Sequence, residues 1–237
     1  MAVLRRQNES KMMKNTFKDF KLFAKDKGLY NSATEDQIKG LRNSLTPVVL
    51  EERDLRATAV DVFSRLLMDR QIFFGADVNE DTCNLVVAQL LYLDSLTDDR
   101  DISIIINSPG GSVIDGLAVI DTMNFIKSDV STLCCGMAAS MGAVLLSNGT
   151  KGKRYILPHS RVMIHQVSSR LGGTFSDVKI EFEQMERAKR DVYQVLANNM
   201  GKSLEEMEAL CDRNNWFIGQ EAVDINIVDS VINNKRQ

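Results

Sequence analysis

The sequence predicts an α/β fold in which helices cover a mainly parallel β-sheet. Two short apolar runs, residues 102–106 and 130–135, have the composition of buried strands. A turn signal at residues 107–111 follows the first run, and a segment with helical spacing at residues 113–126 leads to the second. Repeated strand–helix–strand units of this kind are typical of a parallel sheet with helices packed on it.

The remaining elements follow from the same patterns along the chain. Strands are predicted at residues 71–74, 102–106, 130–135, 154–157 and 161–164. Helices are predicted at residues 62–67, 83–96, 113–126 and 175 to about 200. A further short helix is expected to begin after Ser203, because Glu206 three residues later completes a capping box.

The first 43 residues differ from the rest, since they hold ten Lys and Arg residues against five Asp and Glu residues and their apolar residues are scattered. This composition predicts a weakly helical or disordered extension, and a removable pro-segment is one role for it. Pro47 and the charged residues that follow it predict a mobile loop over residues 44–56. The folded domain is therefore predicted within residues 44–237.

The long helix predicted at residues 175–200 is polar on most faces. Its apolar residues keep near-heptad spacing: Val178, Phe182, Met185, Val192 and Leu196. Such a helix is expected to project from the domain and to pack on a partner subunit. A surface helix of the monomer is the alternative interpretation.

Composition excludes several classes of protein. At 237 residues, with 44% hydrophobic and 26% charged residues, the chain has the balance of one substantial globular domain or two small ones. The net charge of −3 argues against nucleic acid or an anionic membrane as the main partner, and no apolar run approaches the ~20 residues that span a bilayer. Four cysteines without metal-ligand spacing, and an N-terminus without the apolar region of a secretory signal, predict a cytoplasmic protein with reduced thiols and no metal or cofactor.

A serine among small residues marks the candidate site. Ser140 lies in the segment 136–143, which otherwise contains only Gly, Ala and Met and follows a predicted strand. Small neighbours leave room for a substrate backbone, and a helix N-terminus favours developing negative charge, so Ser140 is a candidate nucleophile. Tight packing of a helix start against the sheet is the alternative interpretation of the same residues.

A serine hydrolase also needs a base, and the chain has two histidines. His165 follows the apolar residues 162–164 and is expected at the end of a strand, where side chains reach the edge of the sheet. His159 follows Pro158 in a turn and is expected to be an exposed surface residue. His165 is therefore the candidate base, with a buried core histidine as the alternative.

Backbone N–H groups are the third requirement, because they stabilise the negative charge that develops on the substrate carbonyl. Gly110 and Gly111 follow a predicted strand, and glycine permits backbone conformations that expose N–H groups. The N–H of Met141, next to Ser140, would supply a second donor. An ordinary tight turn is the alternative for the two glycines.

Several motifs in this chain resemble those of the ClpP peptidases, the proteolytic subunits of Clp proteases in the ClpP/crotonase superfamily. They are residues 64–67 (SRLL), 108–111 (SPGG), 136–143 (GMAASMGA), 151–154 (KGKR), 160–166 (SRVMIHQ) and 221–223 (EAV). The resemblance runs in the family's order from about residue 44 to residue 231. It implies a crotonase-type superhelix of strand–helix repeats with a protruding handle at about residues 168–200.

The resemblance also implies roles and partners. Ser140 matches the family's nucleophile, His165 its general base, and Gly111 and Met141 its oxyanion-hole donors. The family self-assembles as two stacked heptameric rings whose handles meet, and an ATP-driven Clp unfoldase feeds unfolded polypeptides into the enclosed chamber. The chain has no G-x-x-x-x-G-K-[ST] loop, so the partner would use the ATP. Residues 1–43 fall where the family carries a pro-segment that is removed by self-cleavage.

One departure from the family concerns the third triad residue, which is an aspartate in the family. Alignment on Trp216 places Asn214 at that position, with Asp212 as a less favoured substitute. An asparagine can orient an imidazole but cannot stabilise imidazolium by charge, and in trypsin-like triads the change lowers turnover about 10⁴-fold. We expect Asn214 to orient His165 and the peptidase to be slower or dependent on assembly.

A second departure concerns docking, because Ser103 and Ile105 stand where family members carry the aromatic residues that line the pocket for the unfoldase. That pocket is expected to be shallower or differently tuned. The sequence as a whole predicts a serine endopeptidase subunit of an ATP-dependent Clp-type protease, which hydrolyses unfolded proteins to short peptides. A weakly active or non-catalytic ring subunit and a crotonase-type acyl-CoA enzyme are the alternatives.

Overall fold

The fold is given by a computed structural model, which describes residues 48–53, 56–96, 99–169 and 172–233, with side chains from residue 60 onward. The chain divides into two units after Leu50, and every element that contributes to the candidate site belongs to the unit Glu51–Gln237. The predicted extension, residues 1–43, lies outside the described residues.

The prediction of a loop over residues 44–56 is wrong where the chain is described. Val48–Arg53 (β1) and Arg56–Asp61 (β2) are strands that pair in a two-stranded sheet. The charged residues favoured a loop, but both segments also hold β-branched residues, which suit extended backbone. Backbone pairing between the two segments therefore outweighs the polar composition.

The main sheet has seven strands in the described part of the chain. They are β3 (Gln71–Phe74), β4 (Ile102–Ser108), β5 (Val130–Ala139), β6 (Arg154–Ile156), β7 (Arg161–Ile164), β8 (Asn215–Ile218) and β9 (Ser230–Val231). Five of them run parallel in the order β3-β4-β5-β6-β9. β7 pairs in parallel with the carboxyl end of β5, and β8 pairs with β7 in the antiparallel direction. The predicted, mainly parallel sheet is confirmed.

Helices alternate with these strands, as predicted. They are α1 (Val62–Met68), α2 (Glu80–Ser95), α3 (Val113–Phe125), α4 (Met141–Ser147), α5 (Phe175–Met200), α6 (Leu204–Cys211) and α7 (Gln220–Asp224). The capping box formed by Ser203 and Glu206 is present at the start of α6. Within the described residues, no helix is both long enough and apolar enough to cross a membrane.

The two faces of the sheet differ in burial. Along β4, Ile102, Ile104 and Ile106 are buried, whereas Ser103 and Ile105 between them are only half-buried. The buried residues join one hydrophobic core with side chains of α2, α3 and α4. One face of the sheet is therefore packed under helices, and the other face is half open.

The long helix α5 is buried only towards its C-terminal end, where Leu196 and Met200 enter the core. Its first turns are exposed, including apolar side chains: Phe175 is 86% exposed and Ile180 is 56% exposed. Exposed apolar residues on a polar helix suit contact with another chain. The predicted packing of this helix on a partner subunit stays a prediction.

A bulge in β5 determines how this strand reaches the site. Ile106 of β4 pairs with Cys134, and Ser108 pairs with Ala138, so β5 holds two more residues than β4 over this interval. Side chains on neighbouring segments hold the bulge, since Gly136 N–H donates to Ser160 Oγ (2.8 Å) and Met137 N–H donates to Asn107 Oδ1 (3.2 Å). Bulges of this kind often redirect strands next to active sites.

At the opposite, amino-terminal edge of the sheet, charged residues hold the strand starts. Arg70, which is 2% exposed, precedes β3 and donates hydrogen bonds to the carbonyls of Leu93 and Asp101 and to Ser128 Oγ. Lys153 precedes β6 and forms ion pairs with Asp101 and Asp129. Arg154, the first residue of β6, is also buried. Hydrogen bonds and ion pairs of cationic side chains thus hold this edge together.

Candidate active site

Ser140 occupies the turn between β5 and α4, as the sequence predicted. Its backbone has φ 54° and ψ −123°, a conformation that residues with a β-carbon rarely adopt. Such backbone strain costs about 1–3 kcal/mol and clusters at functional sites. The flanking elements hold the turn, because Ser140 N–H donates to Met163 O (2.8 Å) and Ser140 O accepts from Ala143 N–H (2.9 Å).

The pairing of β5 with β7 brings His165 to Ser140. Ala139 pairs with Met163, so the two strands end side by side, and the next residues leave the sheet at the same edge. His165 Nε2 lies 2.8 Å from Ser140 Oγ, which is hydrogen-bond distance. His165 is half-buried, while His159 is exposed as predicted. Of the two histidines, His165 is thus the one that lies beside the candidate nucleophile.

The Gly110–Gly111 segment lies directly against Ser140. A β-carbon on Gly110 would come 2.6 Å from Ser140 Cβ and 3.0 Å from Met141 N, so only glycine fits there. Val78 and Gly111 form a parallel β-bridge, in which Val78 N–H donates to Gly110 O and Ser112 N–H donates to Val78 O. The N–H of Gly111 itself therefore points away from Val78. Within the described residues, neither Gly111 N–H nor Met141 N–H has a hydrogen-bond acceptor. Both N–H groups are therefore available to an external acceptor.

An apolar pocket opens beside Ser140 and His165. It is lined by side chains of α3, α4, β7 and α5, among them Val113, Met141, Val144, Ile164, Val192 and Leu196. This pocket was not predicted from the sequence, although the helical spacing of Val192 and Leu196 predicted that they share an apolar face. The spacing predicts which helix face is apolar, but only the crossing of α5 over α4 shows what that face contacts.

Asn214 lies near His165, but no hydrogen bond joins the two residues. The antiparallel pairing of β7 with β8 joins Ile164 to Asn215, and extending this register by one residue places Asn214 across from His165. The two residues line one cleft together with Asp212. Within the described residues, the His165 side chain lies within hydrogen-bond distance of Ser140 only. Asp212 contacts this region through its backbone carbonyl, which accepts from Gln166 Nε2 (2.9 Å).

The site has no sign of a metal centre in the part of the chain that is described, where no group of three or more His, Cys, Asp or Glu residues could hold an ion. Two buried thiols near these strands and helices are also unsuited to nucleophilic chemistry. Burial raises the pKa of Cys134 to about 12 and that of Cys211 to about 11, so both stay protonated near neutral pH. The arrangement of Ser140, His165 and two free N–H groups is that of acyl transfer to a serine.

Comparison with known proteins points to the same chemistry. Residues 54–235 match the sequence profile of a family described as Clp protease. The chain is 48% identical over 215 residues to an ATP-dependent Clp protease proteolytic subunit of Bacteroides fragilis (strain YCH46). The aligned region covers 90% of this chain and 98% of that relative. Proteins of the same description from Bacteroides thetaiotaomicron and Porphyromonas gingivalis are 48% and 44% identical, over 90% and 92% of this chain and 98% and 99% of their own lengths.

Proposed function

This chain belongs to the Clp protease family and is a serine-type endopeptidase subunit, and we propose that Ser140 and His165 carry out its reaction. Ser140 Oγ would attack the scissile carbonyl while His165 Nε2 takes its proton. His165 then returns the proton to the leaving amine, and water hydrolyses the acyl-enzyme by the same route. The 2.8 Å approach of His165 Nε2 to Ser140 Oγ is the observation that carries this proposal.

The free N–H groups of Gly111 and Met141 would stabilise the oxyanion. Loss of one such donor typically lowers turnover by about 10²–10³-fold, so two preorganised donors account for a large part of the rate enhancement. Their placement depends on the close approach of Gly110 to Ser140 and Met141 N, which a β-carbon would prevent. We therefore propose that the glycine pair places the oxyanion donors as well as forming the turn.

The test of the nucleophile is labelling with a fluorophosphonate, followed by mass spectrometry of the peptide that contains residue 140. We expect one adduct on Ser140, no adduct in Ser140→Ala, and loss of peptide hydrolysis in that variant. A crotonase-type acyl-CoA enzyme has no need of this serine–histidine pair, so hydrolysis of an acyl-CoA thioester without labelling of Ser140 would favour that alternative. A purified protein that assembles but neither labels nor cleaves peptides would identify a non-catalytic subunit.

Asn214 is proposed as the residue that orients His165. Its register position across from His165 supports the role, and the absence of a hydrogen bond between them fits a peptidase that is slow until it assembles. We expect Asn214→Asp to increase peptide hydrolysis, because a carboxylate stabilises the imidazolium that forms during the reaction. If Asn214→Ala left hydrolysis untouched while Asp212→Ala abolished it, Asp212 would take this role instead.

The apolar pocket beside Ser140 is proposed to receive the side chain on the acyl side of the cleaved bond. Its lining by Val144, Ile164 and Leu196 offers that side chain no charged partner, so cleavage after apolar residues is expected. Profiling of the cleavage sites in an unfolded protein tests this preference. A preference for cleavage after charged residues would contradict it.

Assembly and partners are proposed from the family together with two surfaces. The exposed apolar residues of α5 would meet another copy of the chain, which in stacked heptameric rings encloses the active sites. The half-open face of the sheet, with Ser103 and Ile105, would lie where an ATP-driven Clp unfoldase docks to deliver unfolded polypeptides. A cytoplasmic location is proposed on the same grounds. Mass measurement in solution tests the assembly, and degradation of a folded protein that requires both ATP and the unfoldase tests the partner.

A further inference from the structure

Arg154 holds the ends of two helices together. Its Nη1 donates hydrogen bonds to the carbonyl of Asn199 (2.8 Å), near the end of α5, and to the carbonyl of Ser147 (3.4 Å), the last residue of α4. The side chain of Asn199 adds two more connections, since its Nδ2 donates to Ser147 Oγ and Asn148 Oδ1. One guanidinium nitrogen therefore joins the helix that begins after Ser140 to the long helix α5.

Asp229 fixes the orientation of this guanidinium. Nε of Arg154 donates to Asp229 Oδ2 (3.0 Å) and Nη2 donates to Oδ1 (2.6 Å), a two-point pairing that sets the plane of the group. Arg154 is 1% exposed, so the surrounding atoms leave its side chain little room to move. Burial pushes the pKa of the Asp229 carboxyl upward, but the hydrogen bonds and charge of Arg154 outweigh it and hold the pKa below its usual range. The pair is therefore charged at neutral pH.

The two helices that Arg154 joins both contribute to the wall of the apolar pocket beside Ser140. Val144 of α4 and Leu196 of α5 both line this pocket. Each lies three residues before the carbonyl that Arg154 holds, a distance of about 4.5 Å along the helix axis. The carbonyl-rich ends of two helices repel each other, and a cation between them removes that repulsion. The distance between the pocket walls thus depends on the group that joins the helix ends.

We infer that Arg154 is a positioning residue for peptide hydrolysis. By fixing the separation of α4 and α5, it sets the width of the apolar pocket and so the size of the side chain that the peptidase accepts before the cleaved bond. The inference rests on the proposed function, because it takes Ser140 as the nucleophile and this pocket as its specificity site. Arg154 itself contacts no substrate and acts through Val144 and Leu196.

The test compares peptides that differ only in the residue before the cleaved bond, which is Ala, Leu or Phe. Arg154→Lys keeps the positive charge but cannot bind both helix ends and Asp229 together, because an ammonium lacks the planar fork of a guanidinium. We expect the ratio of kcat/KM between the Phe and Leu peptides to change at least about fivefold, mainly through KM, as for other changes of pocket size. The labelling rate of Ser140 by a small fluorophosphonate, which does not fill the pocket, is expected to change less than about twofold.

Arg70→Lys is the matched control. Arg70 is equally buried and also donates to a helix-end carbonyl, but its partners lie at Leu93, Asp101 and Ser128, away from α4 and α5. This variant is expected to lose stability without changing the ratio between the Phe and Leu peptides. If Arg70→Lys changed the ratio as much as Arg154→Lys, selectivity would follow stability and the inference would be wrong.

Asn199→Ala keeps the test decisive if Arg154→Lys does not fold. It removes the two side-chain connections from α5 to α4 and leaves the Arg154–Asp229 pair in place. A smaller change of the same ratio in the same direction, about twofold, supports the inference. An equal loss for all three peptides overturns it. Failure of the wild-type enzyme to label at Ser140 would instead refute the proposed function.

Discussion

The two edges of the main sheet differ in backbone strain and in how many of their hydrogen-bonding groups have partners. At the carboxyl edge, Ser140 has a strained backbone, and the N–H groups of Gly111 and Met141 have no acceptor within the described residues. At the amino edge, the cationic side chains of Arg70 and Arg154 are buried and donate to several acceptors each. The same strands connect an edge with buried, hydrogen-bonded cations to an edge with unused hydrogen-bonding capacity. A preorganised active site costs stability, and the opposite edge offsets that cost.

The largest effect is expected at Ser140, where two variants should lose activity equally but differ in stability. Ser140→Ala and Ser140→Gly both remove Oγ and are expected to lower peptide hydrolysis at least about 10³-fold. Glycine alone adopts the combination of φ 54° and ψ −123° without a steric penalty, so Ser140→Gly should be more stable than Ser140→Ala by about 1 kcal/mol. Urea unfolding of both variants measures the difference. Equal stabilities would show that the turn is not strained.

A smaller loss of activity is expected from a methyl group at Gly110. In Gly110→Ala the new β-carbon would meet Ala139 O, Ser140 Cβ and Met141 N, so the nucleophile and one oxyanion donor must shift. Peptide hydrolysis should fall about 10²–10³-fold. Gly152→Ala is the control at the amino edge, because Gly152 also has positive φ (86°) but a β-carbon there would meet no atom within 4 Å. Steady-state kinetics of the two variants should differ, and equal activity would contradict the placement of the donors.

Arg70→Met should affect stability and spare activity. The change removes a buried charge and three hydrogen bonds, and it leaves the Leu93 and Asp101 carbonyls without this donor. We expect unfolding to become easier by about 2–4 kcal/mol. Below the melting temperature, kcat per labelled Ser140 should stay within about twofold, since Arg70 lies at the far edge. A large fall in kcat with an unchanged melting temperature would show that this residue of the amino edge supports activity rather than stability.

The smallest effect is expected at Asp229, and it depends on pH. The pKa of its carboxyl is lower in the folded chain than the ordinary value of 3.8. A group of this kind stabilises the fold fully above its unfolded pKa, and the contribution disappears as the pH falls through the folded pKa. At pH 7 the wild type should therefore exceed Asp229→Asn in unfolding free energy by about 1–3 kcal/mol.

This difference in unfolding free energy should shrink as the pH falls below about 4, because the wild-type carboxyl then becomes protonated. Denaturant unfolding of both proteins at a series of pH values measures it. A difference that stays constant down to the acid limit would mean that Asp229 contributes through shape alone. The folded pKa would then not be lowered by Arg154.

Much of this fold was predictable from the sequence, because its patterns are local. The helix that begins after Ser203 was predicted from its capping box, and the strands at 71–74 and 161–164 from their short apolar runs. Strand β5 was predicted to end near residue 135 but continues to Ala139, since the bulge carries the chain through Gly136. Hydrogen bonds from Gly136 and Met137 to other segments stabilise that continuation, and such distant partners leave no local signal.

The candidate site was predictable to a different extent for each residue. Ser140 and His165 were found by residue type and position, and the structure brings them within hydrogen-bond distance. Asn214 was placed by alignment, and its register position agrees, but the bond to His165 that its proposed role needs is not made. The pocket was not predicted, because its walls come from α3, α4, β7 and α5, which only the tertiary fold assembles.

Helix α5 would act as a lever if its exposed end were displaced, with its buried C-terminal turns as the pivot. Its buried C-terminal turns hold Val192 and Leu196 at the pocket, whereas Phe175 at the other end is exposed. At 1.5 Å per residue, the 21 residues from Phe175 to Leu196 span about 32 Å. A displacement of several ångströms at the exposed end therefore reaches the pocket as a fraction of an ångström, reduced by the ratio of the two arms. Contacts made far from Ser140 can in this way adjust the substrate pocket finely.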